Sequence, residues 1–134
     1  MKGKFGQQGD SAMESELEPL RERTKKYALR IIRLVGSLPA TSTAQILGKQ
    51  LLRSGTSVGA NYREGFRARS DAEIVAKFGI CLQELDESCY WIELLGESQI
   101  VDEKALAPLL DETNQLISIF VVITKRLSKG LGRR

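Results

Sequence analysis

The sequence contains no histidine. That absence removes the usual general base and the commonest metal ligand. It also excludes the Glu-x-x-His pairs from which di-iron helical bundles are built. A phosphate-binding loop of the form Gly-x-x-x-x-Gly-Lys-Ser is missing too. Prolines number only three, so little interrupts long helices. No uninterrupted apolar run approaches the roughly 18 residues a membrane span needs, and Met1 to Asp10, rich in Gly, Lys and Gln, lacks a signal-peptide core. A cytoplasmic protein with no membrane partner is the expectation. Cys81 and Cys89 stand eight apart in a helical pattern, about 12 Å along an axis and too far to bridge. They read as free core thiols of a reducing compartment. The carboxylates Glu84, Asp86 and Glu87 would suit a hard cation, but salt bridges and solvated surface account for them. No metal, no cofactor and no enzyme activity are expected.

What is present centres on residues 53–69, Arg-Ser-Gly-Thr-Ser-Val-Gly-Ala-Asn-Tyr-Arg-Glu-Gly-Phe-Arg-Ala-Arg. Leu47, Leu51, Gly55, Val58, Tyr62 and Gly65 step by threes and fours along one helical face. Gln50, Arg53, Ser57, Asn61 and Glu64 do the same on its neighbour. Each helical glycine costs roughly 1 kcal/mol against alanine, which argues for a break at Gly55 and Gly59. The double periodicity argues for one long helix, in which small residues four apart admit another backbone.

At 134 residues, 42% apolar and 28% charged, the chain is one globular domain. Residues 1–13 read as a disordered tail, 14–129 as an all-α, antiparallel up-down four-helix bundle, and 130–134 as a loose basic tail. The first helix runs from Ser15 or Pro19 to Ser37, with Leu20, Tyr27, Ile31, Leu34 and Leu38 inward. Thr41 or Ser42 caps a second helix reaching Arg67. Ser70 and Glu73 form a capping box for a third, with Ile74, Phe78, Cys81, Leu85, Ser88, Ile92 and Leu95 as its seam and Gly96 as its stop. A fourth begins at Asp102 and keeps Leu106, Leu109, Thr113, Leu116, Phe120, Ile123 and Leu127 in register. Its stretch Leu116 to Ile123 is apolar almost all round, which predicts burial on more than one side.

Charge is segregated. Residues 21–37 hold six basic residues against one acidic, and 41–69 hold five against one. Residues 70–101 reverse this, with seven acidic against one basic. Such a division fits either a nucleic-acid face or helices that attract one another when packed. On the third helix Lys77, Glu84, Glu87 and Trp91 share a side; on the second, Arg53, Asn61 and Glu64 share another. If these sides meet, an internal network joined by Arg53 or Arg63 fixes helix register, and losing Glu84 would cost about 3–5 kcal/mol. The functional alternative is a groove lined by Tyr62, Trp91 and these charges.

Ser57-Val-Gly-Ala-Asn-Tyr-Arg-Glu-Gly-Phe-Arg-Ala-Arg-Ser70 and Leu82-Gln-Glu-Leu-Asp-Glu-Ser-Cys-Tyr-Trp-Ile-Glu-Leu-Leu95 resemble the bacterial four-helix-bundle proteins called ribosomal-RNA intervening-sequence proteins. Asn61, Glu64 and Gly65 match that family's second-helix element. Glu84, Asp86, Glu87, Tyr90 and Trp91 match a Tyr/Trp-bearing branch of its third-helix motif. The resemblance covers about residues 20–128 and implies a ring-like homopentamer. The chain is also similar in fold to the accessory protein of diversity-generating retroelements, a basic pentameric bundle that binds reverse transcriptase and nucleic acid. The expected function is therefore sequence-tolerant association with RNA or DNA by a non-enzymatic oligomer. Arg21, Arg23, Lys25, Lys26, Arg30, Arg33, Lys49 and Arg67 would supply the phosphate contacts. A structural or protein-interaction scaffold, whose basic helices meet the acidic third helix of a neighbour, is the alternative.

Overall fold

A computed structural model describes the backbone of residues 10–132 and the side chains of residues 17–131. Four helices follow one another: α1 (Asp10–Gly36), α2 (Ser42–Phe66), α3 (Asp71–Glu97) and α4 (Glu103–Gly132). Each packs against the next in sequence, and α1 makes a narrower contact with α4. Thr41 caps α2 by accepting from the Ala44 amide, and Ser70 caps α3 by accepting from the Glu73 amide. Those hydroxyls occupy donors that the first helical turn leaves free.

α2 is unbroken from Ser42 to Phe66. Its glycines are contact points. A Cβ at Gly55 would lie 2.8 Å from the Ile31 side chain, one at Gly48 2.9 Å from Leu38, and one at Gly59 3.2 Å from the Thr24 hydroxyl. α1 therefore lies close on α2, and the propensity cost of these glycines is offset by packing. Gly65 does the same for α3, where a Cβ would meet the Phe78 ring at 2.7 Å.

The core is the one the periodicity outlines. All seven seam residues of α3 and all seven of α4 are buried. Tyr62, Phe78 and Phe120 form its aromatic centre, with ring centroids 5.4–6.4 Å apart. On α1 the inward stripe is shifted. Leu17 and Thr24 are fully buried, while Leu34 and Leu38 are only half-buried.

Within this core hydroxyls from different helices pair. Tyr27 and Thr113 share a hydrogen bond of 2.7 Å, and Ser54 and Ser88 share one of 2.8 Å. Thr113 donates onward to the Leu109 carbonyl, while Ser54 and Ser88 each also reach a carbonyl one turn back in their own helix. Tyr62 donates to the Leu17 carbonyl at 2.5 Å. Every one of these buried hydroxyls is satisfied, as burial demands.

Four sequence expectations change at the edges. α1 begins at Asp10, inside the segment read as a disordered tail; positions 1–9 lie outside the described residues. Ala, Met, Glu and Leu between 12 and 18 favour helix, and acidic residues suit its positive end. Pro19 consequently sits in a helix interior, where it forgoes one hydrogen bond. α4 continues to Gly132 rather than fraying at 130, with Leu131 half-buried one turn past Leu127. α3 stops at Glu97, not at Gly96. Gln99 takes the left-handed conformation (φ 63°), and the Ile100 and Gln99 amides bond back to the carbonyls of Leu95 and Gly96. Gly96 is retained in the last turn for space, since a Cβ there would meet Glu103 at 3.1 Å. Finally, α4 is long and apolar enough by composition to cross a membrane. Counting uninterrupted runs missed this because Thr113, Asn114, Gln115 and Ser118 punctuate it. Its stripe from Leu106 to Leu127 faces the other helices.

Two glycines give opposite expectations. Gly65→Ala forces a methyl against Phe78 and should lose about 1–3 kcal/mol. Gly79, with open space where its Cβ would stand, should gain up to about 1 kcal/mol on Gly79→Ala. Urea denaturation at matched protein concentration measures both.

Burial also raises several pKa values: Tyr27 to about 12, Cys81 to about 12 and Cys89 to about 11, with Tyr62 raised further. The neutral forms are favoured in the folded state, so their contribution is whole below the ordinary values of 9.0 and 10.0. It is lost as pH climbs toward the folded values. Unfolding free energy should fall between about pH 9 and 12, and Tyr27→Phe should make the fall shallower.

Candidate functional site

The outer faces of α2 and α3 do meet, but as two separate surface clamps. Arg53 reaches Glu84 at 3.0 Å through Nη1 and Glu87 through Nη2. Glu84 and Glu87 lie three apart on α3, so one guanidinium spans both. Partial desolvation lowers the Arg53 pKa, yet the two carboxylates outweigh it and hold it above its ordinary range. The Arg53 side chain remains 51% exposed and Glu84 only 12%.

Further along, Glu64 accepts from Lys77 at 3.3 Å, and Asn61 donates to the Ser57 carbonyl of its own helix. Asn61 and Glu64 therefore do not join the Arg53 clamp. Eleven residues separate Arg53 from Glu64, roughly 16 Å of helix, beyond any arginine's reach. Arg63 does not join either. Two residues from Asn61 is about 200° of rotation, which carries Arg63 round to α1. The expected internal network is thus a pair of exposed clamps. Tyr62 is in the core rather than a groove. Trp91 is half-buried beside Tyr90, ring centroids 5.1 Å apart, with its Nε1 shielded and without a hydrogen-bond partner among the described residues.

The basic residues sort by partner. Arg23 is engaged: Nε and Nη2 grip Glu112 at 2.8 and 2.7 Å, and Nη2 also bonds Gln115. The hydrogen bond to Glu112 is the main cause of its raised pKa. This clamp ties α1 to α4 beside the Tyr27–Thr113 bond, which takes Arg23 out of the set expected to bind phosphates. Arg21, Lys25, Lys26, Arg30, Arg33, Lys49, Arg63 and Arg67 make no ion pair among the described residues.

Helical spacing divides those on α1 between two faces. Arg21, Lys25, Ala28 and Ile32 turn toward α2, whereas Lys26, Leu29, Arg30 and Arg33 turn away from it. Between α1 and α2 runs an open groove of about 330 Å³. Ala28, Thr56, Gly59 and Ala60 line it, flanked by Lys25 and Arg63. Its small residues let an extended chain approach, and its two cations favour one bearing negative charge. Arg63 was missed as part of this groove, although its rotation from Asn61 is readable from numbering alone.

The exposure of Arg53 alters the expected cost of breaking its clamp. Glu84→Ala should lose about 1 kcal/mol or less, as an exposed pair does, rather than the 3–5 of a buried one. Glu73→Ala, which frees the Arg69 amide it accepts from, should cost about as much. Chemical denaturation of both variants checks this.

The 23S rRNA-intervening sequence protein family model matches residues 19–121, a span that takes in both clamps and the α1–α2 groove. A crystal structure of a protein of unknown function from the S23 ribosomal protein family of Bacteroides thetaiotaomicron is similar, with a TM-score of 0.77 at 30% identity. That match covers 82% of this chain and 98% of the other. No curated protein matches the sequence. On the extent of the family match and the shared fold, the chain belongs to the 23S rRNA-intervening sequence protein family.

Proposed function

We propose that the protein is a non-enzymatic, self-associating helical module of the cytoplasm that binds RNA or DNA through the α1–α2 face. One observation carries this reading: Arg21, Lys25 and Arg63, turned toward the α1–α2 groove, make no ion pair among the described residues. Unpaired cations beside a groove are what a phosphate backbone seeks, because each contact releases condensed counterions. Lys25 and Arg63, across the groove from one another, are its centre. Aromatic side chains that could stack on bases are few, and those of the core are buried. Binding should accordingly tolerate many sequences.

Self-association is supported by apolar side chains left at the surface. Leu29, Ile32, Ile46, Leu52, Tyr90 and Val122 are each at least 36% exposed. Val122 belongs to the apolar stretch of α4 that one bundle does not cover. The ring-like homopentamer implied by the family resemblance would cover part of this area. The same side chains favour a second reading, a protein-interaction scaffold, since aliphatic groups contribute little to phosphate binding.

Fluorescence anisotropy with unrelated RNA and DNA oligonucleotides separates the two. Affinity should fall steeply with salt and differ little between sequences. Lys25→Ala with Arg63→Ala should flatten the slope of log K against log salt by about 2, whereas Arg23→Ala should leave it unchanged. No binding at low salt leaves the scaffold reading. Light scattering should give a mass several times 14.9 kDa; a monomer at every concentration would refute self-association.

A further inference from the structure

The exposed face of α1 that turns away from α2 has a counterpart elsewhere on the same molecule. Between α3 and α4 lies an open groove of about 220 Å³. Gly96, Leu106, Ala107 and Leu110 make its floor, and Glu93, Glu97 and Glu103 its rim. Glu93 accepts a bond from the Cys89 thiol, and none of the three makes an ion pair among the described residues. Gly96 keeps the groove open, because its missing side chain would otherwise stand against Glu103 and Leu106.

On α1, Lys26, Leu29, Arg30 and Arg33 share a face. Leu29 is 40% exposed, and the three cations likewise make no ion pair among the described residues. We propose that the α3–α4 groove receives this face of α1 from a second copy of the chain, with Leu29 over the apolar floor and the cations against the carboxylate rim. The inference rests on the self-association reading and names its contact surfaces.

Three observations converge on a second copy as the occupant. The charges are complementary, with three unpaired cations facing three unpaired carboxylates, and a nucleic acid would be repelled by such a rim. The apolar parts match in scale, one leucine against a leucine- and alanine-lined cleft. The two surfaces also stand at the same height. Tyr27 sits level with Thr113. Going up α1 from Tyr27 to Arg33, and back along the antiparallel α4 from Thr113 to Leu106, reaches the same end of the bundle. Copies with parallel axes can therefore engage side by side. Because the surfaces differ and occupy different sides, the contact is heterologous and repeats from copy to copy, as a ring requires. Arg21, Lys25, Arg63 and Arg67 stay outside it, free for the α1–α2 groove.

Charge reversal tests the proposal without nucleic acid. Arg30→Glu with Arg33→Glu should reduce the mass by light scattering to near 14.9 kDa. Glu93→Arg with Glu97→Arg should do the same. All four changes in one chain should restore the assembly, and circular dichroism should show intact helices throughout. Should a reversed pair fail to fold, Ala107→Trp fills the groove from within and should release monomers by itself. An assembly indifferent to both reversed pairs and to Ala107→Trp would overturn these contacts while leaving self-association standing. Reversed pairs that dissociate but are not rescued together would overturn the pairing of the two surfaces. A wild-type monomer would overturn self-association with it. Loss of nucleic-acid binding by Lys25→Ala and Arg63→Ala is read independently of all of these.

Discussion

The close approach of α1 to α2 across Gly48, Gly55 and Gly59 sets the geometry of the rest. With a methyl at any of these positions Leu38, Ile31 or Thr24 would have to move. Drawn toward α2, α1 leaves a wider interval to α4, which long side chains cross. Tyr27 spans it inside the core and Arg23 spans it at the surface. The same approach makes the shallow α1–α2 groove, because glycine, alanine and threonine line it where larger residues would fill it. Packing, helix closure and the candidate binding surface thus share one cause.

Charge is handled in two ways. Arg23, Arg53 and Lys77 are matched to carboxylates on another helix and act as clasps between elements. Among the described residues the other cations of α1 and α2 have no such match, nor do the carboxylates at the end of α3. A modest net charge of +3 therefore conceals a molecule whose opposite charges are kept on separate faces. Separated charges of this kind favour partners outside the protomer and make those contacts sensitive to salt.

The helical seams were legible because period and burial coincide: every position from Ile74 to Leu95 and from Leu106 to Leu127 placed inward by spacing is inward. Unbroken α2 was legible for the same reason, as its apolar face runs through the glycines without a change of phase. Gln99 was not, since a left-handed residue that is not glycine leaves no mark in composition. The candidate site was half legible. Grouping Arg53 with Glu84 and Glu87 needs only helical spacing, while extending the group to Asn61 and Glu64 ignored rise along the axis. Grouping Arg63 with them ignored rotation about it. Which cations are spent internally depends on Glu112, eighty-nine positions from Arg23, and no local pattern carries that.

The hydroxyls of Tyr27, Ser54, Ser88 and Thr113 bind the history of the sequence as well as its core. Thr113 has committed its proton to the Leu109 carbonyl, so it can only receive from Tyr27, whereas Ser54 and Ser88 each also reach a carbonyl of their own helix and either can give the proton they share. Tyr27 must then give. A lineage that replaces Thr113 with valine strands the phenol of Tyr27, and one that replaces Tyr27 with phenylalanine leaves Thr113 an oxygen without a donor. The two positions are therefore expected to drift together or not at all, as are Ser54 and Ser88. Divergence in this fold is thus constrained in pairs drawn from different helices rather than residue by residue.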